Sequence, residues 1–185
     1  MIILASKSPR REELLKKLCA EFKIISGDAA EIETSANPRE LAIKNAALKA
    51  ETVARDFPND TVIGADTIVV LNGEIFGKPH GETGAFEMLK KLSGRRHEVI
   101  TGLAIVSGGE TFTAAETTEV YFGEMTDAEI LAYVATGEPL DKSGSYALQG
   151  GAAKFIEKIH GDWSNVVGLP LFRLRTLAKS AGIKF

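Results

Sequence analysis

The stretch Thr61–Leu71, TVIGADTIVVL, constrains this chain more than any other. Its run of β-branched residues reads as a strand. Asn72-Gly73 follows directly and is the strongest two-residue hairpin signal, so Glu74–Phe76 is expected to return beside it. Strand-like and helix-like segments alternate around this hairpin. Met1–Ser6 and Phe22–Ser26 read as short strands, with a helix from Pro9 to about Leu18 between them. Asn37-Pro38-Arg39-Glu40 combines an N-cap, a proline at the first helical position and a glutamate three residues after the cap, so a helix is expected to about Phe57. A helix over Glu82–Leu92 precedes two long strands, Glu98–Val106 and Thr111–Phe122. Thr126-Asp127-Ala128-Glu129 is a capping box opening a helix to about Thr136. Gly137–Gly151 reads as an ordered polar loop, Ala153–Ile159 as a strand and Leu169–Ala181 as the last helix. The pattern predicts an α/β fold: a mixed twisted sheet with flanking helices, in a single domain over residues 1–185, with two lobes around a cleft.

With 185 residues, of which 44% are hydrophobic and 25% charged, the chain can bury a sizeable core. Its net charge of −3 and lack of a long basic run argue against nucleic acid or an anionic membrane as partner. No run of about 18 apolar residues suggests a membrane span, and the opening strand has no leader pattern, so a cytoplasmic location is expected. Any anion site must then be local, made by a few placed cations. The single cysteine, Cys19, reads as a small core residue.

Four features stand out against this background. Ser8 and Pro9 look like the cap and first residue of a helix, yet Arg10 and Arg11 follow, where the helix dipole favours acids. Either the arginines pair with Glu12 or Glu13, or a phosphate-bearing ligand balances them. Asp66 sits inside the apolar strand, on the same face as Gly64 and Ile68, with Gly64 leaving space beside it. A carboxylate there needs a cation or a metal, unless it only makes a turn at the strand end. Lys49 is stacked with Ala42, Ala46 and Val53 on one side of its helix, and Lys78 lies between Gly77 and Pro79. Each fits an anion site, a snorkelling side chain or an ordinary turn. The loop DKSGSYALQGG, Asp141–Gly151, offers Lys142 and the amide of Gln149, which could read a base edge or simply face water. His80, His97 and His160 show no metal-ligand spacing and read as surface or supporting groups. No P-loop signature and no nucleophile elbow occur.

Taken together, SKSPRREELL, VIGADTIVV, GKP, LSGRRHEVITG, GEPLDKSGSYALQG and GDWSNVVGLPL resemble, in that order from Ser6 to Leu171, the Maf family of nucleoside triphosphate pyrophosphatases. The resemblance implies a fold of the Maf and inosine-triphosphatase kind, hydrolysis of a nucleoside triphosphate to its monophosphate and pyrophosphate, and a divalent cation, Mg²⁺ or Mn²⁺. It implies that Asp66 accepts a proton or binds the metal, and that Ser8, Arg10, Arg11, Lys49 and Lys78 bind phosphate, with Lys142 joining them. Ala30 stands where the family often has an acid, so both Glu31 and Glu33 are candidates for the second metal ligand. The loop resembles the branch acting on dTTP and UTP rather than the 7-methyl-GTP branch, with Arg10, Thr67 and Gln149 at the positions tied to that preference. Ser143, Ser145, Ala147 and Leu148 are small departures within it. A homodimer is also implied. The rival readings are a non-catalytic nucleotide-binding regulator of cell division and a hydrolase of modified pyrimidine nucleotides.

Overall fold

The computed structural model describes residues 1–185. Seven strands form one mixed sheet: β1 (Ile2–Leu4), β2 (Lys23–Ile24), β3 (Thr61–Leu71), β4 (Glu74–Phe76), β5 (Arg96–Ser107), β6 (Glu110–Phe122) and β7 (Ile156–His160). Their order is β2-β1-β3-β5-β6-β7, with β4 paired to β3. β1 runs parallel to both β2 and β3, with Leu4 opposite Ile24 and Ile63. β4 is antiparallel to β3, with Leu71 opposite Glu74. Asn72 and Gly73 both take positive φ, 51° and 83°, as a type I′ hairpin turn requires.

The helices are α1 (Pro9–Leu15), α2 (Pro38–Ala54), α3 (Gly81–Leu92), α4 (Asp127–Val134), α5 (Trp163–Val167) and α6 (Leu171–Ser180). Ser8 caps α1 and Asn37 caps α2 with their side chains, and Thr126 with Glu129 forms the full capping box of α4. None is long and apolar enough to cross a membrane.

Several expectations need correcting. α1 ends at Leu15 and the chain turns through Lys16–Leu18, so the first helix is shorter than its leucine spacing suggested. The loop before β7 contains 3₁₀ turns at Glu138–Asp141, Ser143–Ser145 and Gly151–Phe155, the last occupying the start of the expected strand. α5 has five residues and no apolar period, so nothing local announced it, and Pro170 separates it from α6.

The chain divides into two compact units. The first comprises Met1–Thr67, Ile100–Glu116 and Ser164–Phe185; the second comprises Ile68–Val99 and Thr117–Trp163. In the first unit, α2 lies on the sheet through a column of small residues, Ala42, Ala46 and Ala50, all fully buried. Two strand glycines permit this approach. A Cβ on Gly64 would collide with the carbonyl oxygen of Ala46 and lie 3.0 Å from Ala50 Cβ, and one on Gly102 would run into the carbonyl of Ala42. The space that Gly64 leaves is thus filled by helix backbone. Ile3, Val53, Val62 and Ala104 complete the core there. In the second unit, Leu89, Leu92, Ile130 and Val134 are buried, and His97, Phe122 and Tyr146 meet edge to face.

Candidate functional site

Asp66 is central. It lies on β3, only 6% exposed, two residues beyond Gly64 and therefore on the face that α2 covers. A carboxylate buried among β-branched neighbours must be paired or hydrogen-bonded. Lys49 supplies the pairing: its Nζ lies 2.6 Å from Asp66 Oδ1. The same ammonium reaches Glu31 Oε1 at 3.0 Å, so one cation joins two carboxylates from separate segments. Lys49 is 18% exposed at the side chain and Glu31 51%, so the cluster runs from the interior to solvent. Lys49 extends from the inner stripe of α2 to a fixed partner; it does not merely snorkel. Of the two acids left open after Ala30, Glu31 is the one drawn to Lys49, while Glu33 is exposed and joins none of these contacts.

Asn45, one helical turn before Lys49, escaped the sequence reading. Its side chain is buried and contacts both Ile32 and Asp66. The available signal was an amide amid the small apolar column, at the four-residue spacing from Lys49 that puts both on one face.

The arginines divide the work. Arg11 folds inward, donating from Nε to the Gly168 carbonyl at 2.8 Å, from Nη2 to Thr67 Oγ1 at 3.0 Å and from Nη1 to Ser6 Oγ at 3.4 Å. Thr101 Oγ1 donates to the Asn165 carbonyl at 3.1 Å. Of the two hydroxyls 2.9 Å apart, Thr67 is therefore the donor and Thr101 the acceptor. Burial pulls the Arg11 pKa below its ordinary value, attraction to Asp66 opposes this, repulsion from Arg10 adds to it, and Glu31 opposes it again. The guanidinium stays charged regardless. Arg10 is half-buried and its charge acts on Arg11. Glu12 is engaged by Lys16 at 2.6 Å, which removes the simplest local partner for either arginine. Ser8 Oγ accepts the Arg11 backbone N–H at 3.5 Å, and Ser6 Oγ accepts the Ser8 N–H at 3.2 Å.

The remaining expected residues belong to the second unit. Lys78 is exposed, and the carbonyl of Gly77 beside it accepts from Gly144 N at 3.1 Å. Lys142 is buried and already donates to the Glu138 carbonyl at 2.7 Å and to Asp141 Oδ1 at 2.6 Å. Gln149 is exposed in the turn that precedes Gly150 and Gly151, where Glu138 Oε2 accepts from Gly151 N at 2.9 Å. Of the two places expected for the histidines, surface or support, His97 takes the second. It is buried, shares a 2.8 Å hydrogen bond between Nε2 and the Tyr146 hydroxyl, and burial pushes its pKa down to about 4 against the opposing Arg95 backbone.

The chemistry open to this arrangement follows from its charges. Two carboxylates and up to three cations lie together in the first unit, with no thiol or imidazole among them. No group of three or more His, Cys, Asp or Glu side chains gathers as a metal cage. Two carboxylates are nevertheless what Mg²⁺ commonly takes from a protein when phosphate oxygens and water supply the rest. The all-oxygen donor set of Asp66 and Glu31 fits such a hard cation.

The family model and the sequence relatives agree. A family model described as Maf-like protein matches residues 1–181. A protein of Methanosarcina mazei named dTTP/UTP pyrophosphatase is 46% identical over 186 residues, covering 98% of this chain and 94% of its own. Another of that name, from Geotalea uraniireducens, is 51% identical over 173 residues, covering 92% and 89%. Among solved structures, the Staphylococcus aureus Ham1 protein is similar with a TM-score of 0.46 at 21% identity, covering 83% of this chain and 90% of that one.

Proposed function

The chain belongs to the Maf family, and on that premise we propose that it is a nucleoside triphosphate pyrophosphatase acting on dTTP and UTP. The observation that carries the reading is the buried Asp66 joined through Lys49 to Glu31, with Arg11 beside it. Cations held against an interior carboxylate suit a substrate that brings several negative charges of its own.

In this reading water attacks the α-phosphorus. Its oxygen forms the new P–O bond, the bond to the bridging oxygen of the β-phosphate breaks, and pyrophosphate leaves with the electron pair. Asp66 takes the proton released by the water. Lys49, Arg10 and Arg11 stabilise charge growing on the phosphates, and Ser8, Lys78 and Lys142 add phosphate contacts. Asp66 and Glu31, with Glu33 two residues on, would hold Mg²⁺ or Mn²⁺, which when bound polarises phosphoryl oxygens. Gln149 and Thr67, with Arg10, select the pyrimidine: uracil and thymine share an acceptor–donor–acceptor edge that the Gln149 amide can partly match. The active species is a cytoplasmic homodimer; light scattering that returns the mass of a single chain would remove the dimer.

The test is a panel of dTTP, UTP, CTP, GTP and 7-methyl-GTP, with Mg²⁺ and with Mn²⁺, assayed for pyrophosphate. Release from dTTP and UTP well above the others is the expected result. Binding of UTP without any pyrophosphate would identify a nucleotide sensor instead.

A further inference from the structure

We infer that Asn45 is the positioning residue that sets Glu31 opposite Asp66 and so defines the spacing of the two carboxylates; this rests on the pyrophosphatase reading above. Asn45 is 3% exposed, on a helix face otherwise lined by Leu41, Ala42, Ala46 and Ala50. An amide in such surroundings is costly unless its polar atoms are used. Here they are. Asn45 Oδ1 accepts the Ile32 N–H at 2.8 Å and Asn45 Nδ2 donates to the Ile32 carbonyl at 2.9 Å. This two-point clamp fixes which way the amide faces, because only one orientation gives Ile32 both an acceptor and a donor. The second N–H of Nδ2 then falls to Asp66 Oδ2, 3.4 Å away.

The clamp matters because little else holds the segment. Gly27–Ala36 contains no helix or strand, and the Ile32 side chain is 40% exposed, so apolar burial does not anchor it. The Glu31–Lys49 pair is itself half in solvent, and such pairs contribute little alone. Asn45 therefore ties the backbone next to Glu31 to the helix, while Lys49, one turn further, takes the two carboxylates. Asp66 is held at one oxygen by the ammonium and at the other by the amide. Asn45 touches neither phosphate nor water in this scheme; it acts through Glu31 and Asp66.

The experiment compares the wild-type chain with Asn45→Leu, which keeps bulk and removes the amide. Asn45→Ala serves as a second variant should leucine not be accommodated. Three quantities are read well below the melting temperature: hydrogen exchange at the Ile32 amide, Mn²⁺ binding to the protein alone by electron paramagnetic resonance, and kcat for UTP against Mn²⁺ concentration. The expected outcome is loss of Ile32 protection, with Mn²⁺ affinity weakened and the half-activating concentration raised about 10–100-fold, as for other residues that orient metal ligands. A merely structural role would lower the melting temperature and leave Mn²⁺ affinity alone. Unchanged Ile32 exchange, or lost protection with wild-type Mn²⁺ affinity and kcat, overturns the inference. A wild-type protein that neither binds Mn²⁺ nor releases pyrophosphate overturns the functional reading, and the positioning role with it.

Discussion

Asp66 concentrates the problem that this protein solves residue by residue: an acid placed where a strand wants an apolar side chain. The answer is divided among Lys49, Asn45 and, at longer range, Arg11. Asp66→Asn keeps size and removes charge, leaving an amide against the Lys49 ammonium and, on the proposed function, no base for the attacking water. Turnover of UTP should fall by about 10² or more with the far-ultraviolet dichroism unchanged; near-normal turnover would show that the proton goes elsewhere. His97 poses the reverse problem, a base kept neutral. Its folded pKa of about 4 lies below the usual value of 6.5, so above pH 6.5 it is neutral in folded and unfolded chains alike. As pH falls from 6.5 toward 4, the unfolded chain binds the proton first and stability is lost. The full difference is about 3 kcal/mol. Urea midpoints at pH 7.5, 5.5 and 4.5 should show this loss in the wild type and a shallower one in His97→Gln. Equal slopes would remove His97 as the cause.

At the scale of elements, α2 is the organising piece. Its small column presses against strand backbone where Gly64 and Gly102 lack side chains, and this closeness lets Asn45 and Lys49 reach Asp66. Gly64→Ala puts a methyl group into the Ala46 carbonyl, so the helix must lift. The expected cost is about 3 kcal/mol, near the upper end for overpacking, or about 6–12 °C in melting temperature for a chain of this size. Because lifting also draws Lys49 from Asp66, kcat should fall together with stability, and a variant that melts lower but turns over normally would separate packing from the site. Caps and turns were legible here because they act over three or four residues: Asn37 with Pro38, Thr126 with Glu129, and Asn72 with Gly73 all stand as their local patterns said. α5 and the 3₁₀ turns were not, because helices this short are held by tertiary contacts rather than by propensity.

For the whole molecule, the site leaves an uncompensated demand. Lys49, Arg10 and Arg11 together carry one more charge than Asp66 and Glu31 offset, with Arg11 attracted to both carboxylates. On the proposed function a nucleotide bound with Mg²⁺ meets that demand, so it should bind the folded chain and not the unfolded one. At a concentration 100 times its Kd, a non-hydrolysable UTP analogue with Mg²⁺ should stabilise the protein by about 2.7 kcal/mol. That is about 5–10 °C in melting temperature. Mg²⁺ without nucleotide should do much less, and equal shifts with and without nucleotide would argue that the cations are not a phosphate site.

What the sequence determined by itself was the set of elements and the kinds of chemistry on offer: a buried strand with one acid, a helix with a small-residue face and an inward lysine, and a capped turn with two arginines. Those signals are local, resting on caps, turns and periodicity. The tertiary structure decided the partnerships. It drew Glu31 rather than Glu33 to Lys49, gave Asn45 its clamp on Ile32, and brought Arg11 to the carbonyl of Gly168, 157 residues away in the chain. Such pairings depend on how closely backbones can approach, and where Asn45 and Lys49 reach Asp66 that distance was set by two glycines, Gly64 and Gly102, against which the helix packs.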